Sequence, residues 1–374
     1  MATVGLPAGF WLQHASREAD ELLAFADELA ATPEGRPGVV IAPLNAADRV
    51  DALYRAARGS GAAILDPQGH LIDRKHTKRA ERHFPWLAEN PRPTDVSAWK
   101  AWMQRALDHQ TARPGADPPN VVITASPIIQ ADRGQDELYR ILDAAHDVAG
   151  GAGDDCWLGV NVDRTYLRDD AHLTRLGDAL VAASPRGVVL RGFHRELAPV
   201  TDRDYLLGLR ELISALSTNG VPVLLPNAGW LGWLAMSWGA WGFTAGMAAG
   251  TWADREPSPV TRPDEPAQLY FEPQLLRPVR WRVHRELVGD PNYQPCPCPD
   301  CQQMRDTYDP HLAKRHQMRL AHQEAARLVP YGGGLRAGAV AARIDQAVAF
   351  RDDLPKAVRS RANAEFLDRW RDLV

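Results

Sequence analysis

The 374-residue chain contains little cysteine and no long hydrophobic run. Four cysteines, three of them within one short stretch, do not make a disulfide framework, so a reduced, cytoplasmic protein is expected. The chain has no run of eighteen apolar residues, and therefore no membrane span is expected. The first residues lack a basic start followed by an apolar stretch, so the sequence predicts no signal peptide.

The chain also lacks an excess of charge of either sign. Its formal net charge of −4 gives no global argument for nucleic-acid binding, so any such argument must rest on local patches. With 45% hydrophobic and 24% charged residues, the composition is that of a globular protein with material for a large core. The length suits one large α/β domain with an appendage, or two domains.

Short apolar runs recur along the first 250 residues and indicate the fold class. There are eight of them, at 9–15, 37–45, 61–67, 120–127, 156–163, 186–193, 221–229 and 241–247. Because these runs are apolar on both faces, they are typical of strands in a buried parallel sheet. Most are separated by stretches with apolar residues at helical spacing, such as 170–184 and 204–220.

Eight strand-helix units in roughly 250 residues predict a (β/α)8 TIM barrel over residues 1–251. The alternative is an open doubly wound sheet, but no Gly-rich nucleotide loop follows the first strand. Residues 252–330 follow the last strand, contain the clustered cysteines and are expected to form a metal-binding subdomain with a closing helix. Residues 331–374 begin with a Gly run, expected to be a loop, and continue as two amphipathic helices.

Three of the cysteines form a Cys-x-Cys-x-x-Cys motif stiffened by prolines, at Cys296, Cys298 and Cys301. Such a tight turn can aim three sulfurs at one point, and thiolates bind Zn2+ tetrahedrally. A fourth ligand must come from elsewhere, and residues 311–328 follow with helical spacing. The histidines of that stretch are His311, His316 and His322. The motif therefore predicts a structural zinc site.

The cysteine motif and its place after the eighth strand resemble the tRNA-guanine transglycosylase superfamily. Those enzymes are (β/α)8 barrels with a zinc subdomain after strand eight, and they exchange a guanine in nucleic acid for a 7-deazaguanine base. DNA-modifying relatives exist. The resemblance covers about residues 9–328 in architecture, and it implies His322 as the fourth zinc ligand, with His316 in reserve. It also implies tRNA, DNA or a nucleoside as partner, and a homo- or heterodimer formed through the zinc subdomain.

The resemblance further implies one catalytic carboxylate. Residues 62–69 resemble the segment in which the family carries an Asp-Ser-Gly-Gly-Phe-type motif, so Asp66 is the expected general acid/base. Where the family has a nucleophilic Asp at the end of strand eight, this chain has Thr244 or a neighbour, and the nearest downstream carboxylate is Asp254. Asp163 ends the fifth strand and is the candidate second acid. Because one carboxylate can activate water, hydrolysis of an N-glycosidic bond stays open beside base exchange.

Polar residues at the ends of the other predicted strands are the candidates for substrate binding. Ser126 is nearest to the family's base-reading Asp of strand four, and Asn161 is the best match to the Gln of strand five. The Gly-Gly turn of strand six reads Arg191-Gly192 here, and Asn227 ends strand seven. The zinc scaffold thus resembles the family more closely than the guanine pocket does.

Arginines interleaved with Trp281 occupy residues 277–286 and form a candidate nucleic-acid surface. They are Arg277, Arg280, Arg282 and Arg285. Such a pattern suits phosphate contact and base stacking, and a solvated charged face is the alternative. A second basic stretch lies at 73–86.

Two functions remain open from the sequence. The leading hypothesis is a transglycosylase-like enzyme that acts on the N-glycosidic bond of a nucleobase in nucleic acid or a nucleoside. The alternative is a catalytically inactive, zinc-bearing relative that binds nucleic acid or a catalytic partner subunit, as one subunit of the eukaryotic tRNA enzyme does. Asp66 favours the enzyme, and the missing strand-eight Asp favours the alternative.

Overall fold

A computed structural model gives the fold of most of the chain. The described residues are 6–14, 19–42, 49–73, 92–112, 121–153, 156–194, 199–247 and 268–374. Asp254 and residues 74–86 of the second basic stretch lie outside the described residues.

Nine strands form one parallel sheet. They are β1 Gly9–His14, β2 Gly38–Ile41, β3 Ala63–Leu65, β4 Val122–Ile123, β5 Ile128–Ile129, β6 Cys156–Val162, β7 Val188–Gly192, β8 Val223–Leu225 and β9 Gly242–Ala245. Their hydrogen-bonded order is β3-β2-β1-β9-β8-β7-β6-β4, with β5 also paired to β6. Both β4 and β5 pair with β6, so together they occupy one strand position, and the nine strands fill eight positions in the sheet. Each of the eight predicted strand segments supplies one.

The sheet curls so that the first and last strands meet. β1 pairs in parallel with both β2 and β9. The order ends at β3 and β4, and no backbone ladder joins these two strands within the described part of the chain. The predicted α/β class with eight parallel strand positions is therefore confirmed at the level of the sheet.

One face of the sheet carries its own apolar cluster, to which nearly every strand position contributes. Its buried members are Leu6, Trp11, Val40, Ile64, Val121, Ile123, Trp157, Val189 and Leu224. Ile64 of β3 and Ile123 of β4 belong to this one cluster, so the two ends of the ladder share an apolar interior. Gly38 leaves room for the ring of Trp11, because a Cβ there would lie 2.3 Å from a ring carbon.

The described part of the chain has fourteen α-helices, and all of them except the short one at 299–303 contribute buried apolar residues to the main hydrophobic core. They are α1 Ala19–Ala30, α2 Val50–Ser60, α3 Val96–Thr111, α4 Gln135–Ala152, α5 Arg164–Leu167, α6 Asp170–Ala183, α7 Arg203–Thr218, α8 Gly229–Met236, α9 Trp281–Val288, α10 Pro299–Gln303, α11 Pro310–Leu328, α12 Gly333–Asp353, α13 Lys356–Ala362 and α14 Phe366–Arg371. Aspartates begin several of them: Asp169 accepts a bond from the backbone N–H of His172 at the start of α6. No helix in the described ranges is long and apolar enough to cross a membrane.

Two short antiparallel strands, β10 Leu269–Glu272 and β11 Arg277–Arg280, precede the cysteine motif. The following helix α11 packs against β1, since a Cβ on Gly9 would meet side-chain atoms of Val329 and Ala325 at 3.1 and 3.6 Å. The predicted closing helix over 311–328 is therefore present as α11.

The C-terminal segment differs from the prediction at its start. Helix α12 begins at Gly333, within the Gly run that was expected to be a loop. The helix can begin there because its later apolar residues Val340, Ile344 and Ala347 are buried in the main core. The second predicted helix is broken at Asn363, whose φ of 47° ends α13 before α14 begins. The three-part domain division itself stays a prediction.

Candidate functional site

The cysteine motif folds into a short loop and one helical turn. Cys298 is the N-cap of α10, and its Sγ accepts a bond from the backbone N–H of Cys301 at 3.4 Å. Pro299 stands at the start of the helix, where its missing N–H costs nothing and its fixed φ suits the turn. Local sequence therefore brings these two thiols together.

His316 of helix α11 is the fourth member of this group. Its Nδ1 lies 3.1 Å from Sγ of Cys301, 3.3 Å from that of Cys298 and 3.8 Å from that of Cys296. All four ligand atoms lie within 4.8 Å of one another. In a tetrahedral site with bonds near 2.3 Å, ligand atoms are roughly 3.8 Å apart. The four side chains are thus close enough to bind a metal ion.

The tautomer of His316 suits a metal ligand. Its Nε2 lies 2.8 Å from the carbonyl oxygen of Phe271, which can only accept, so Nε2 carries the proton. Nδ1 is therefore left as the lone-pair nitrogen facing the thiols. The ring of Tyr270 stacks on His316 at 4.7 Å, and its hydroxyl lies 3.2 Å from Sγ of Cys301.

Contacts among the three thiols shift the pKa values of Cys296 and Cys301 in opposite directions. Hydrogen bonds from Cys298 and Cys301 lower the pKa of Cys296. Hydrogen bonds with Cys296 and Cys298, together with burial, raise the pKa of Cys301. A divalent cation removes this conflict, because it stabilises all three groups as thiolates at once.

His322 does not join this group, which corrects the choice of fourth ligand. Six residues along a helix turn a side chain by about 240°, so His316 and His322 leave α11 in different directions. The Nε2 of His322 instead donates to the carbonyl of Gly35 at 2.8 Å, and burial lowers the pKa of its ring. The structure brings the reserve candidate, His316, to the thiols.

A second buried polar assembly lies at the carboxyl end of the sheet and is centred on Asp66. This carboxylate directly follows β3, accepts a bond from Arg191 Nη2 at 2.8 Å and accepts another from the Gln68 backbone N–H at 2.9 Å. The Nη1 of Arg191 lies 3.0 Å from Nδ1 of His70. Since a guanidinium can only donate, that imidazole accepts at Nδ1 and carries its proton on Nε2.

The same network includes three of the predicted substrate-binding residues, Arg191, Asn161 and Ser126. Asn161 is paired with Arg191 in the β6–β7 register, and its Oδ1 lies 3.4 Å from Arg191 Nη1. The Nδ2 of Asn161 donates to the carbonyl of Ser126 at 2.6 Å, and the Ser126 hydroxyl donates to the carbonyl of Pro127. The structure thus joins Asp66, Ser126, Asn161 and Arg191 into one network.

Thr244 lies elsewhere at this end of the sheet and is fully buried in β9. Its hydroxyl donates to Oε1 of Gln13 at 2.8 Å and accepts a bond from the backbone N–H of Asn227 at 2.8 Å. Asn227 has a φ of 50°, a conformation that asparagine tolerates well. The Thr244 hydroxyl therefore crosslinks the ends of β1, β8 and β9.

Asp163 and Gly192 have local structural contacts. The carboxylate of Asp163 caps α5, accepting bonds from the Tyr166 backbone N–H at 2.8 Å and the Thr165 hydroxyl at 2.9 Å. The Gly192 carbonyl accepts a bond from the Tyr205 hydroxyl at 3.2 Å. Helix capping accounts for an aspartate at position 163.

Sequence reasoning missed His70 and Gln13. His70 follows Asp66 by four residues, and Gly69 permits its segment to approach Ser126, since a Cβ on Gly69 would lie 2.5 Å from the Ser126 nitrogen. That glycine was the available signal. Gln13 precedes the end of an apolar run, and nothing in its local sequence points to Thr244.

The arginine stretch divides by exposure. Arg280, Arg282 and Arg285 are exposed at the start of α9 and along it. Arg277 is half-buried over the ring of Phe366 at 5.9 Å, and burial lowers the pKa of its guanidinium. The three exposed arginines are the ones available at the surface.

Comparisons with known proteins give little for this chain. No family model matches it, and no curated protein matches it. Among solved structures, 24 chains match. One is a type I 3-dehydroquinate dehydratase from Clostridium difficile, modified covalently with comenic acid, at 7% identity and a TM-score of 0.32, over 65% of this chain and 86% of that one. A likeness of that size carries no argument about function.

Proposed function

We propose that the protein is a zinc-bearing (β/α)8 barrel, similar to the tRNA-guanine transglycosylases, that hydrolyses the N-glycosidic bond of a nucleobase in nucleic acid or a nucleoside. The observation that carries the proposal is the chain of contacts Asp66–Arg191–His70 at the carboxyl end of the sheet. In barrels of this type the reactive groups lie at that end. The apolar interior shared by β3 and β4 supports closure of the barrel.

Zinc is the ion proposed for the metal centre. Three thiolates and one imidazole form a soft, four-membered ligand set, which is typical of structural zinc. Such a site has no open coordination position, so the ion holds the cysteine loop against α11 and takes no part in the reaction.

The proposed chemistry uses groups of this chain alone. The carboxylate of Asp66 accepts a proton from water while the water oxygen bonds to the anomeric carbon. The bond from that carbon to the base nitrogen breaks, its electron pair goes to the base, and the proton taken up by Asp66 passes to that nitrogen, while neutral His70 donates a hydrogen bond from Nε2 to the leaving base. Hydrolysis is favoured over base exchange because the Thr244 hydroxyl donates to Gln13, and a threonine needs an adjacent base to act as a nucleophile.

Base release from nucleosides, RNA and DNA tests this proposal. Asp66→Asn should abolish release while keeping the fold, since asparagine retains most of the shape and one acceptor. Asp163→Asn is the matched control, because asparagine is as good a helix cap as aspartate and activity should persist. Absence of release by the wild-type protein, or equal release by Asp66→Asn, would contradict the enzyme.

The second candidate is a catalytically inactive relative that binds nucleic acid or a partner subunit. Two observations favour it: the Thr244 hydroxyl is engaged as donor and acceptor, and Arg280, Arg282 and Arg285 are exposed at the start of α9 and along it, with Arg285 donating to the carbonyl of Arg305. Binding to RNA or DNA should then weaken steeply as salt rises. Replacing Arg280 and Arg282 by Ala should each reduce the salt slope by about 1.

A further inference from the structure

A buried carboxylate stands between two of the metal-site cysteines. Asp300 lies within α10, between Cys298 and Cys301, and its exposure is 1%. Its Oδ1 accepts a bond from Arg315 Nε at 3.0 Å, and its Oδ2 accepts one from Arg319 Nε at 2.8 Å. A carboxylate so buried is costly unless it is paired in this way.

Both arginines belong to the helix that carries the fourth ligand. Arg315 and Arg319 are one turn apart on α11, and Arg315 directly precedes His316. The side chains that hold the cysteine loop and the imidazole that faces its thiols therefore sit on the same turn of one helix.

The arginines also connect the loop to the sheet region. Both bind the carboxylate of Glu28 in α1, and both lie over the ring of Phe25, at 4.7 and 5.3 Å. Partial burial raises the pKa of Glu28, but hydrogen bonds from Arg319 and Arg315 outweigh it, so the pKa is lowered overall. A continuous path thus runs from the cysteine loop through Asp300 and the arginines to α1.

We propose that Asp300 is a positioning residue of the metal centre. Its carboxylate, held by Arg315 and Arg319, fixes the distance between α10 and α11, so that the three sulfurs stand around Nδ1 of His316 before an ion binds. Without this contact the loop must be ordered by the ion itself, and part of the binding free energy is lost. Residues that orient metal ligands in this way typically raise metal affinity by about 10–100-fold, and we expect a contribution in that range from Asp300.

Competition between the full-length protein and a chelator for Zn2+ measures the effect. Cys296 and Cys298 line a cleft of about 1020 Å³ that is also lined by Glu28 and Arg319, which gives a chelator a route to the site. Asp300→Asn should weaken Zn2+ binding by about 10–100-fold. The matched control is Asp306→Asn, in the same segment with its side chain 85% exposed, which should bind as wild type does.

A second readout separates positioning from general destabilisation. With Co2+ in place of Zn2+, Asp300→Asn should change the ligand-field spectrum, because the geometry of the thiolates around the ion changes. Arg319→Gln removes the partner side of the contact and should also weaken Zn2+ binding. In the double variant with Asp300→Asn, the two losses of Zn2+ affinity should not add.

If Asp300→Asn does not fold, Arg319→Gln and Glu28→Gln replace it in the test. The loss of Zn2+ affinity should be larger for Arg319→Gln than for Glu28→Gln, because Glu28 is 40% exposed. An unchanged Zn2+ affinity in the folded Asp300 variant, or full additivity of the two losses, would overturn the proposal.

Discussion

The two buried polar assemblies of this protein are built on opposite principles. At the proposed metal centre, three thiol sulfurs and one imidazole nitrogen converge within 4.8 Å of one another. At the carboxyl end of the sheet, the guanidinium of Arg191 pairs with the carboxylate of Asp66 and the imidazole of His70. The four converging ligand atoms are close enough to bind one cation, whereas matched donors and acceptors hold the network around Asp66 together.

The two regions also differ in how much apolar core supports them. The cysteine loop and α10 adjoin a small cluster with three buried members, Tyr270, Met304 and Ala313. The network around Asp66 stands on strands buried in the main core and the interior cluster. Residues 294–309 contribute no buried residue to the main core, so this loop should depend on the ion for its stability.

The largest expected effect comes from removing a metal ligand. Cys298→Ser should abolish tight metal binding and expose the amides of residues 294–309 to hydrogen exchange, while the sheet stays protected. Structural zinc contributes about 10–16 kcal/mol of binding free energy in small zinc domains, so its loss should exceed any other single change here.

Cys156→Ala is the control for that variant. Cys156 lies in β6, where burial raises the pKa of its thiol to about 12, and its replacement should leave the metal content unchanged. Equal exchange protection of residues 294–309 with and without metal would contradict the contrast between the two regions.

The next effect in size concerns the network. Arg191→Met should destabilise the protein by about 3–5 kcal/mol, because the buried carboxylate of Asp66 loses its guanidinium. Urea denaturation measures this, with the exposed Arg282→Met expected within about 0.5 kcal/mol of wild type. If the two variants were equally stable, the Asp66–Arg191 pair would not hold the network together.

Thr244→Val should have a smaller effect, of about 1–3 kcal/mol. The substitution removes a fully buried hydroxyl and leaves Oε1 of Gln13 and the N–H of Asn227 without that partner. Thr174→Val, at an exposed position of α6, is the control and should change the free energy of unfolding far less. A neutral Thr244→Val would mean that the crosslink between β1, β8 and β9 is dispensable.

The smallest expected effect is a pH dependence from His322. Burial lowers the pKa of this imidazole below its ordinary value of 6.5 in the folded state. The unfolded chain therefore binds the proton more readily, and stability present above pH 6.5 is lost as the pH falls towards the folded-state pKa. Free energies of unfolding between pH 5 and pH 8 should show this slope in wild type and a flatter one in His322→Gln. Equal slopes in the two proteins would show that His322 does not cause this pH dependence.

Local patterns in the sequence were enough to predict the strands and the metal-site cysteines. A short apolar run indicates a buried parallel strand without reference to the rest of the chain. In the same way, the Cys-x-Cys-x-x-Cys spacing brings the sulfurs together through a local turn. Contacts between residues that are far apart in the sequence were not predictable in this way. Asp66 and Arg191 are 125 residues apart, and only the curl of the sheet brings them into contact.

The fourth metal ligand shows the same limit over a shorter distance. The stretch 311–328 is readable as a helix, but its rotation about its axis is set by packing on β1 and α1. That rotation turns His316 to the thiols and His322 to Gly35. The Gly run at the start of α12 was misleading for a similar reason, because burial of later residues outweighs the low helix propensity of glycine.

Metal analysis of two histidine variants tests the central assignment most directly. Purified wild-type protein and His322→Gln should each contain one Zn2+ per chain, whereas His316→Gln should lose the ion on dialysis against a mild chelator. The opposite pattern, with metal kept by His316→Gln and lost by His322→Gln, would contradict the metal centre described here, as would a wild-type protein that binds no zinc.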